Sequence, residues 1–261
     1  MVRVVVANTE DTPDSDFPSL NGITSSGKIS SRPVITDTDR SLKLWQHVLQ
    51  PGGEIQWQQS NVSHLMYVRD GTADANGEKL ARDGSLIVAH GASLTLRAGD
   101  TPLTLLHFHQ LAELADSART GCCVHVVNRE DAPYYTYDSP ETHTKFTDGV
   151  VFANAGCKSC GLWLHESQLP GNVTIGRHLH SEDEIIVVLE GCLKLGRHDL
   201  TSGAAVAIDA NTMYTFKTGA DGLRFINFRP SEPFVIMATP DGEHMPRMSE
   251  KQWMADHTVS A

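Results

Sequence analysis

The 261-residue chain reads as an all-β protein, and three observations predict it. Short apolar runs rich in Val, Ile and Leu are punctuated by Gly, Asp and Asn turns, the pattern of strands and tight connections. Apart from two short segments, no helical stretch alternates with these strands, which argues against an α/β fold. Third, the chain repeats itself. Leu44-Trp45-Gln46-His47 ahead of Pro51-Gly52 is matched by Leu162-Trp163-Leu164-His165 ahead of Pro170-Gly171, with Trp45 and Trp163 118 positions apart. Gly71 precedes Gly191 by 120 positions, Gly84 precedes Gly203 by 119, and Leu103–Gln110 (LTLLHFHQ) precedes Leu223–Pro230 (LRFINFRP) by 120. An offset held between 118 and 120 over landmarks so far apart marks a tandem duplication.

The elements follow in order. Residues 1–40 hold one apolar run, Val2 to Val6, then Asp, Ser, Gly and Pro, and read as an arm with a single strand and otherwise loop. Residues 41–110 form the first β unit and 151–240 the second. Between them, 111–150 reads as a connection: a short helical turn from Leu111 to Ala118, a strand at Val124–Val127, and an aromatic loop at Pro133–Tyr137. Residues 241–261 form a tail, where Ser249-Glu250-Lys251-Gln252 has capping-box spacing and opens a short C-terminal helix through His257.

The second unit carries the strongest chemical signal, GNVTIGRHLHSEDEIIVVLEG from Gly171 to Gly191. His178, His180 and Glu184 are separated by even numbers of residues, so on a persisting strand they project to one face. Two imidazoles and a carboxylate with open positions suit non-haem Fe(II); Mn, Ni and Zn also accept this set. Beyond them, Ile185–Leu189 is a β-branched run ending at Gly191, and Gly203 opens GAAVAIDANTMYTF, read as strand, turn and strand.

These motifs resemble the cupin superfamily, whose first motif (Gly, His-x-His, Glu, Gly) matches Gly171, His178, His180, Glu184 and Gly191, with one extra residue between Gly171 and His178. With the repeat, the resemblance extends over most of the chain. It implies a bicupin: two tandem double-stranded β-helix (jelly-roll) barrels. In the second motif Gly203 fits, Asp209 and Asn211 stand at the turn, and Tyr214 stands where the resemblance implies a fourth metal-binding His. A phenol there can ligate as phenolate, hydrogen-bond substrate, exchange a proton from a free pKa of about 10, or simply pack in the wall. The implied metal set is His178, His180, Glu184 and Tyr214, with Glu184 and Tyr214 also expected to act in catalysis.

The first half departs from this pattern. Gln58, Ser60, His64 and Thr95 stand opposite His178, His180, Glu184 and Tyr214. The N-terminal barrel is therefore expected to have lost metal and to serve as scaffold. Its His64, His90, His107 and His109 then hydrogen-bond within the barrel mouth; the alternative is a different site in which His64 joins one of the other three.

Twenty-one Lys and Arg against 32 Asp and Glu give a net charge of −11, with no basic run, which disfavours nucleic acid and anionic membrane. No apolar stretch approaches the roughly 20 residues of a membrane span, and MVRVVVANTEDTP lacks the apolar core of a signal peptide, so a cytoplasmic protein is expected. The five cysteines are expected to be free thiols, Cys157-Lys158-Ser159-Cys160 an incidental or structural pair, and Cys192 buried. The arm and sheet edges lead to an expected homodimer. Arg177, Arg224 and Arg229 are candidates to grip a substrate carboxylate, although Arg224 and Arg229 have opposite strand parity. The leading functional expectation is an Fe(II) dioxygenase acting on a small oxygenated or aromatic metabolite. A redox-neutral isomerase, hydrolase, lyase or decarboxylase and a non-catalytic binding protein are the alternatives.

Overall fold

The structure, a computed structural model, describes residues 4–110, 124–138, 145–153, 162–231, 234–237 and 248–249. Among them the chain is strand and turn without an α-helix, as the all-β reading requires; a single 3-10 turn spans Arg129–Asp131. Two compact units form. Of the described residues, one takes those within Thr9–Ala132 and Phe152–Leu162, the other those within Met1–Asn8, Pro133–Val151 and Trp163–Ala261.

The N-terminal unit contains a five-stranded antiparallel sheet, ordered Ile23–Ser26, Glu54–Gln58, Ser93–Ala98, Ala73–Ala75, Glu78–Leu80. A six-stranded one runs Val124–Val127, Ser85–Val88, His64–Asp70, Leu103–Gln110, Leu42–Leu49, Ile29–Ile35. Ile55, Trp57, Leu94 and Leu96 of the first sheet share one core with Met66, Val68, Leu86, Val88, Leu103 and Leu105 of the second. Each such side chain contributes about 1.5–3 kcal/mol on leaving water. Because strand side chains alternate, the rows that carry Met66 and Val68, and Leu103 and Leu105, continue into His64 and into His107 and His109. The apolar rows thus end in imidazoles.

In the C-terminal unit one extended sheet runs Val4–Asn8, Ala204–Ile208, Glu184–Leu195, Tyr214–Arg229, Trp163–Leu169, Lys145–Ala153, Tyr134–Asp138, and Thr174–His180 pairs with Tyr214–Arg229. Ile186, Val188, Val206, Ile208, Phe216 and Phe225 form its core. The extra residue before His178 becomes a bulge: the register shifts between Ile175 and His178, which turns both inward. Gly191, at the end of the motif, has φ +77°, and a Cβ there would lie 2.2 Å from Gly222 O. Its repeat partner Gly71 has φ +84° and the same problem against Pro102 O at 2.4 Å. The two glycines, 120 positions apart, thus meet the same backbone requirement. Gly191→Ala is expected to destabilise by at least about 3 kcal/mol, adding steric overlap to left-handed strain; urea unfolding followed through the C-terminal unit measures it.

Several expectations change. The described part of residues 1–40 holds three strands: Val4–Asn8, Ile23–Ser26 and Ile29–Ile35. The last two were hidden by polar, half-solvated faces and by Pro33, which is tolerated because Ile29–Ile35 is an edge strand with a register shift between Pro33 and Ile35. Val4–Asn8 covers a sheet edge, pairing antiparallel with Ala204–Ile208 of its own chain. Val124–Val127 is the strand expected, whereas Tyr134–Asp138, read as loop, is an edge strand paired with Lys145–Ala153. Cys192 is half-buried. Ser249 ends a two-residue strand, Met248–Ser249, and not a helix cap. The rest of the expected C-terminal helix, the Leu111–Ala118 turn, Cys122, Cys123, Cys157 and Cys160 lie outside the described residues.

Candidate metal centre and its repeat partner

Four buried imidazoles meet at one end of the N-terminal core. His47 stands on Leu42–Leu49, His64 on His64–Asp70, and His107 and His109 on Leu103–Gln110 between them, where His109 is the cross-strand neighbour of His64. All four are at most 2% exposed. They form a hydrogen-bonded chain with a hydroxyl at each end. Ser31 Oγ lies 2.8 Å from His47 Nδ1, His47 Nε2 3.0 Å from His107 Nδ1, His107 Nε2 2.9 Å from His64 Nδ1, and His64 Nε2 2.8 Å from Ser60 Oγ. Trp57 closes the side of the cluster, its ring centroid 6.2 Å from that of His107.

Burial dominates the electrostatics. It pushes His47 and His64 from 6.5 down to about 3 and His109 to about 4, and holds His107 well below its usual value, with the neighbouring imidazoles and, for His109, Lys43 adding to the effect. The rings are therefore neutral at pH 7, the form that ligates metal. Lys43, buried beside His109, has its own proton affinity lowered chiefly by burial and donates to Asp37 O.

One nitrogen each of His64, His107 and His109 lies within 4.8 Å of the others, the single such group among the described residues. His109 Nδ1 is buried and has no hydrogen-bond partner among the described residues. An orphaned buried nitrogen beside two convergent imidazoles fits a divalent cation, and Ser60 and His47 then provide the outer contacts that orient ligating rings. The imidazoles of this unit hydrogen-bond among themselves as expected, and His64 with both His107 and His109 also supplies a donor set that could hold an ion. His90 is exposed and takes no part.

In the C-terminal unit, His178, His180, Glu184 and Tyr214 are all buried, 5, 7, 1 and 8% exposed. The strand does not persist between them, since Thr174–His180 ends at His180 and Glu184 opens the next. His178 donates Nδ1–H to Gly176 O at 2.8 Å, leaving Nε2 as its lone-pair nitrogen, and the ring of Tyr214 lies 4.3 Å from it, centroid to centroid. His180 Nε2 stands 4.0 Å from Glu184 Oε2. Arg229, 1% exposed, lies against both: one Nη2 donates to Glu184 Oε2 at 2.9 Å and to His180 Nε2 at 3.0 Å. Asn227 Nδ2 adds a third bond to Glu184 Oε2 at 2.8 Å. Two of the donor atoms a metal needs, Glu184 Oε2 and His180 Nε2, are engaged by a guanidinium whose charge stands where the ion would, so these residues as placed do not fit an ion.

Arg229 is the inward arginine of the three candidates. Arg224, of opposite parity, bonds Glu166 at 2.8 Å and Glu190 at 3.0 Å, and Arg177 is exposed. His165 accepts from Trp163 Nε1 at 2.9 Å. Burial first, then the charge of Arg229, keeps His165 and His180 well below the usual imidazole range; burial also lowers His178, against the pull of Gly176 O.

The two clusters are repeat equivalents. His64, His107 and His109 stand opposite Glu184, Asn227 and Arg229, and His47 opposite His165. The 64–107 contact of one unit is the 184–227 contact of the other. The repeat LTLLHFHQ and LRFINFRP carries the signal for this equivalence; of these residues the sequence reading names His107, His109 and Arg229 and misses Asn227.

No protein-family model and no curated protein matches the chain. Among solved structures, one described as a "putative dioxygenase" from Nostoc punctiforme is similar with a TM-score of 0.68 at 10% identity, over 88% of this chain and 83% of that one. The protein Ylba from E. coli follows with 0.62 at 12%, over 87% and 90%. Bacillus subtilis oxalate decarboxylase, an enzyme with Mn(II) centres, gives 0.60 at 11%, over 95% and 80%. These neighbours are cupin-fold proteins, and at such identity the likeness shows the fold alone.

Proposed function

We propose that the chain is a metal-dependent bicupin enzyme whose divalent ion is held by His64, His107 and His109, and that it is a dioxygenase of a small oxygenated or aromatic metabolite. The observation that carries this is the convergence of three buried, neutral imidazoles within 4.8 Å. The cupin fold and a neighbour described as a dioxygenase support the same class.

A bound divalent ion supplies a Lewis acid with open positions, and iron adds redox capacity. Every other contribution comes from the chain. Ser60 fixes the ring of His64, and His47, itself held by Ser31, fixes that of His107. Trp57 and the apolar rows beneath exclude water, which strengthens electrostatic contacts to substrate oxygens. Lys43 adds positive charge beside His109 and favours a substrate that carries an anionic oxygen. All three donors are neutral, so no ligand charge offsets the cation. That feature supports a second reading, redox-neutral Lewis-acid chemistry on such an anion.

The test loads metal-free protein anaerobically with Fe(II), adds small oxygenated and aromatic acids, and records oxygen uptake together with substrate loss. Uptake matching substrate loss, abolished by chelation, is the expected result. Substrate loss without uptake selects the redox-neutral reading. Turnover unaffected by removal of metal removes both.

A further inference from the structure

The sequence of the C-terminal unit looks like an intact metal motif, while the structure puts a side-chain cation at its centre. We infer that Arg229 is a built-in replacement for the metal there: the C-terminal site takes no ion as it stands, and it is a cryptic metal site held shut by a guanidinium. The inference rests on the C-terminal geometry and stands whether or not the N-terminal unit holds an ion.

Three features carry it. Arg229 Nη2 bonds the two groups a metal would join, Glu184 Oε2 at 2.9 Å and His180 Nε2 at 3.0 Å. The geometry requires His180 Nε2 to be an acceptor, since guanidinium nitrogens only donate. The lone pair that would ligate a metal is thereby engaged. The charges also balance, one guanidinium against one carboxylate, both 1% exposed. An additional divalent ion between them would face a buried like charge, which is strongly unfavourable away from water.

The repeat sharpens the point. Position 229 corresponds to 109, so the duplicated scaffold carries an imidazole in one unit and a guanidinium in the other at the same place on the last strand of the core. The N-terminal unit has the histidine but lacks the His-x-His pair, having Gln58 and Ser60; the C-terminal unit has the pair but plugs it. Each half retains what the other lacks. The two units are then chemically distinct, one cluster of neutral bases open to a cation and one charge-compensated cluster. In the second, Glu184 Oε1 and Asn227 Oδ1 remain buried acceptors without a partner among the described residues.

The experiment counts metal. Full-length wild type, Arg229→Ala and Arg229→His are prepared metal-free, titrated with Mn(II), Zn(II) or Fe(II) alone, and analysed by elemental stoichiometry and thermal shift. The same Arg229 changes are also made in a His107→Ala, His109→Ala background, which isolates the C-terminal site. Arg229→His keeps a buried nitrogen donor, so it folds even if Arg229→Ala, which strands Glu184, does not. The expected result is one additional equivalent of metal per chain in the Arg229 variants, in both backgrounds, lost again on adding His180→Ala. Metal should raise the melting temperature of Arg229→His in the isolating background and leave its Arg229 parent unmoved. If wild-type protein binds metal that His178→Ala or His180→Ala removes, or if neither Arg229 variant gains an equivalent, the inference is overturned. A wild type that binds no metal, with a gain on Arg229→His, refutes the N-terminal assignment and leaves this one standing.

Discussion

Replacing His107 with alanine should abolish stoichiometric metal binding and reduce metal-dependent turnover by more than about 100-fold, beyond the range expected for loss of an outer contact. His107 is the hinge of the N-terminal cluster, with one nitrogen on His47 and the other on His64. The hydrogen-bonded chain fixes what binding requires. Without metal, one proton lies between His64 Nδ1 and His107 Nε2; as ligands, both nitrogens must present lone pairs. His64 then keeps its proton on Nε2 toward Ser60 Oγ, His107 keeps one on Nδ1 toward His47 Nε2, and His47 keeps one on Nδ1 toward Ser31 Oγ. Each ring remains neutral, so the two halves of the chain point outward and no proton leaves. Calorimetric titration at pH 7 in buffers of different ionisation enthalpy should give a proton release near zero. Release of one proton per ion would mean that the rings start out charged, against the burial that depresses them. Retention of metal by His107→Ala would move the centre elsewhere.

Acid is expected to unfold the N-terminal unit between about pH 5 and 4. The sign follows from where protons bind. His47, His64 and His109 titrate at about 3, 3 and 4 in the folded unit against 6.5 in ordinary surroundings. Below pH 6.5 the unfolded chain takes up protons that the folded one refuses. Stability is therefore complete above pH 6.5 and falls as pH drops through the window from 6.5 toward 4. Each imidazole costs about 1.4 kcal/mol per pH unit. At pH 5 three such groups remove about 6 kcal/mol, comparable to the whole stability of many domains. Trp57, packed against His64 and His107, reports the transition by fluorescence, and His47→Gln should move its midpoint to lower pH. A unit that stays folded at pH 4 would show that the rings titrate in place.

Much of this protein was legible in residue order. Gly punctuation and β-branched runs specified an all-β chain, and the constant offset near 119 specified duplication, because strand alternation and left-handed glycines are local properties of the backbone. His178, His180 and Glu184 are all buried in the C-terminal unit, although not through the single persisting strand that their even spacing assumed. Pairing decided the remainder. Ile23–Ser26 became a strand through Glu54–Gln58, well separated in sequence, and Tyr134–Asp138 through the next strand, Lys145–Ala153, pairing in both cases overriding weak local propensity. The identity of the cation among Glu184 and His180 depended on Arg229, 45 positions beyond Glu184 and brought beside it by the neighbouring strand. The N-terminal imidazoles, read as hydrogen-bonding within the barrel mouth, became a candidate metal centre because Leu103–Gln110 lies between Leu42–Leu49 and His64–Asp70 and aims His47, His64, His107 and His109 at one buried point. Charge sign and donor type are written along a strand, whereas which charge meets which donor is settled only when strands are laid side by side.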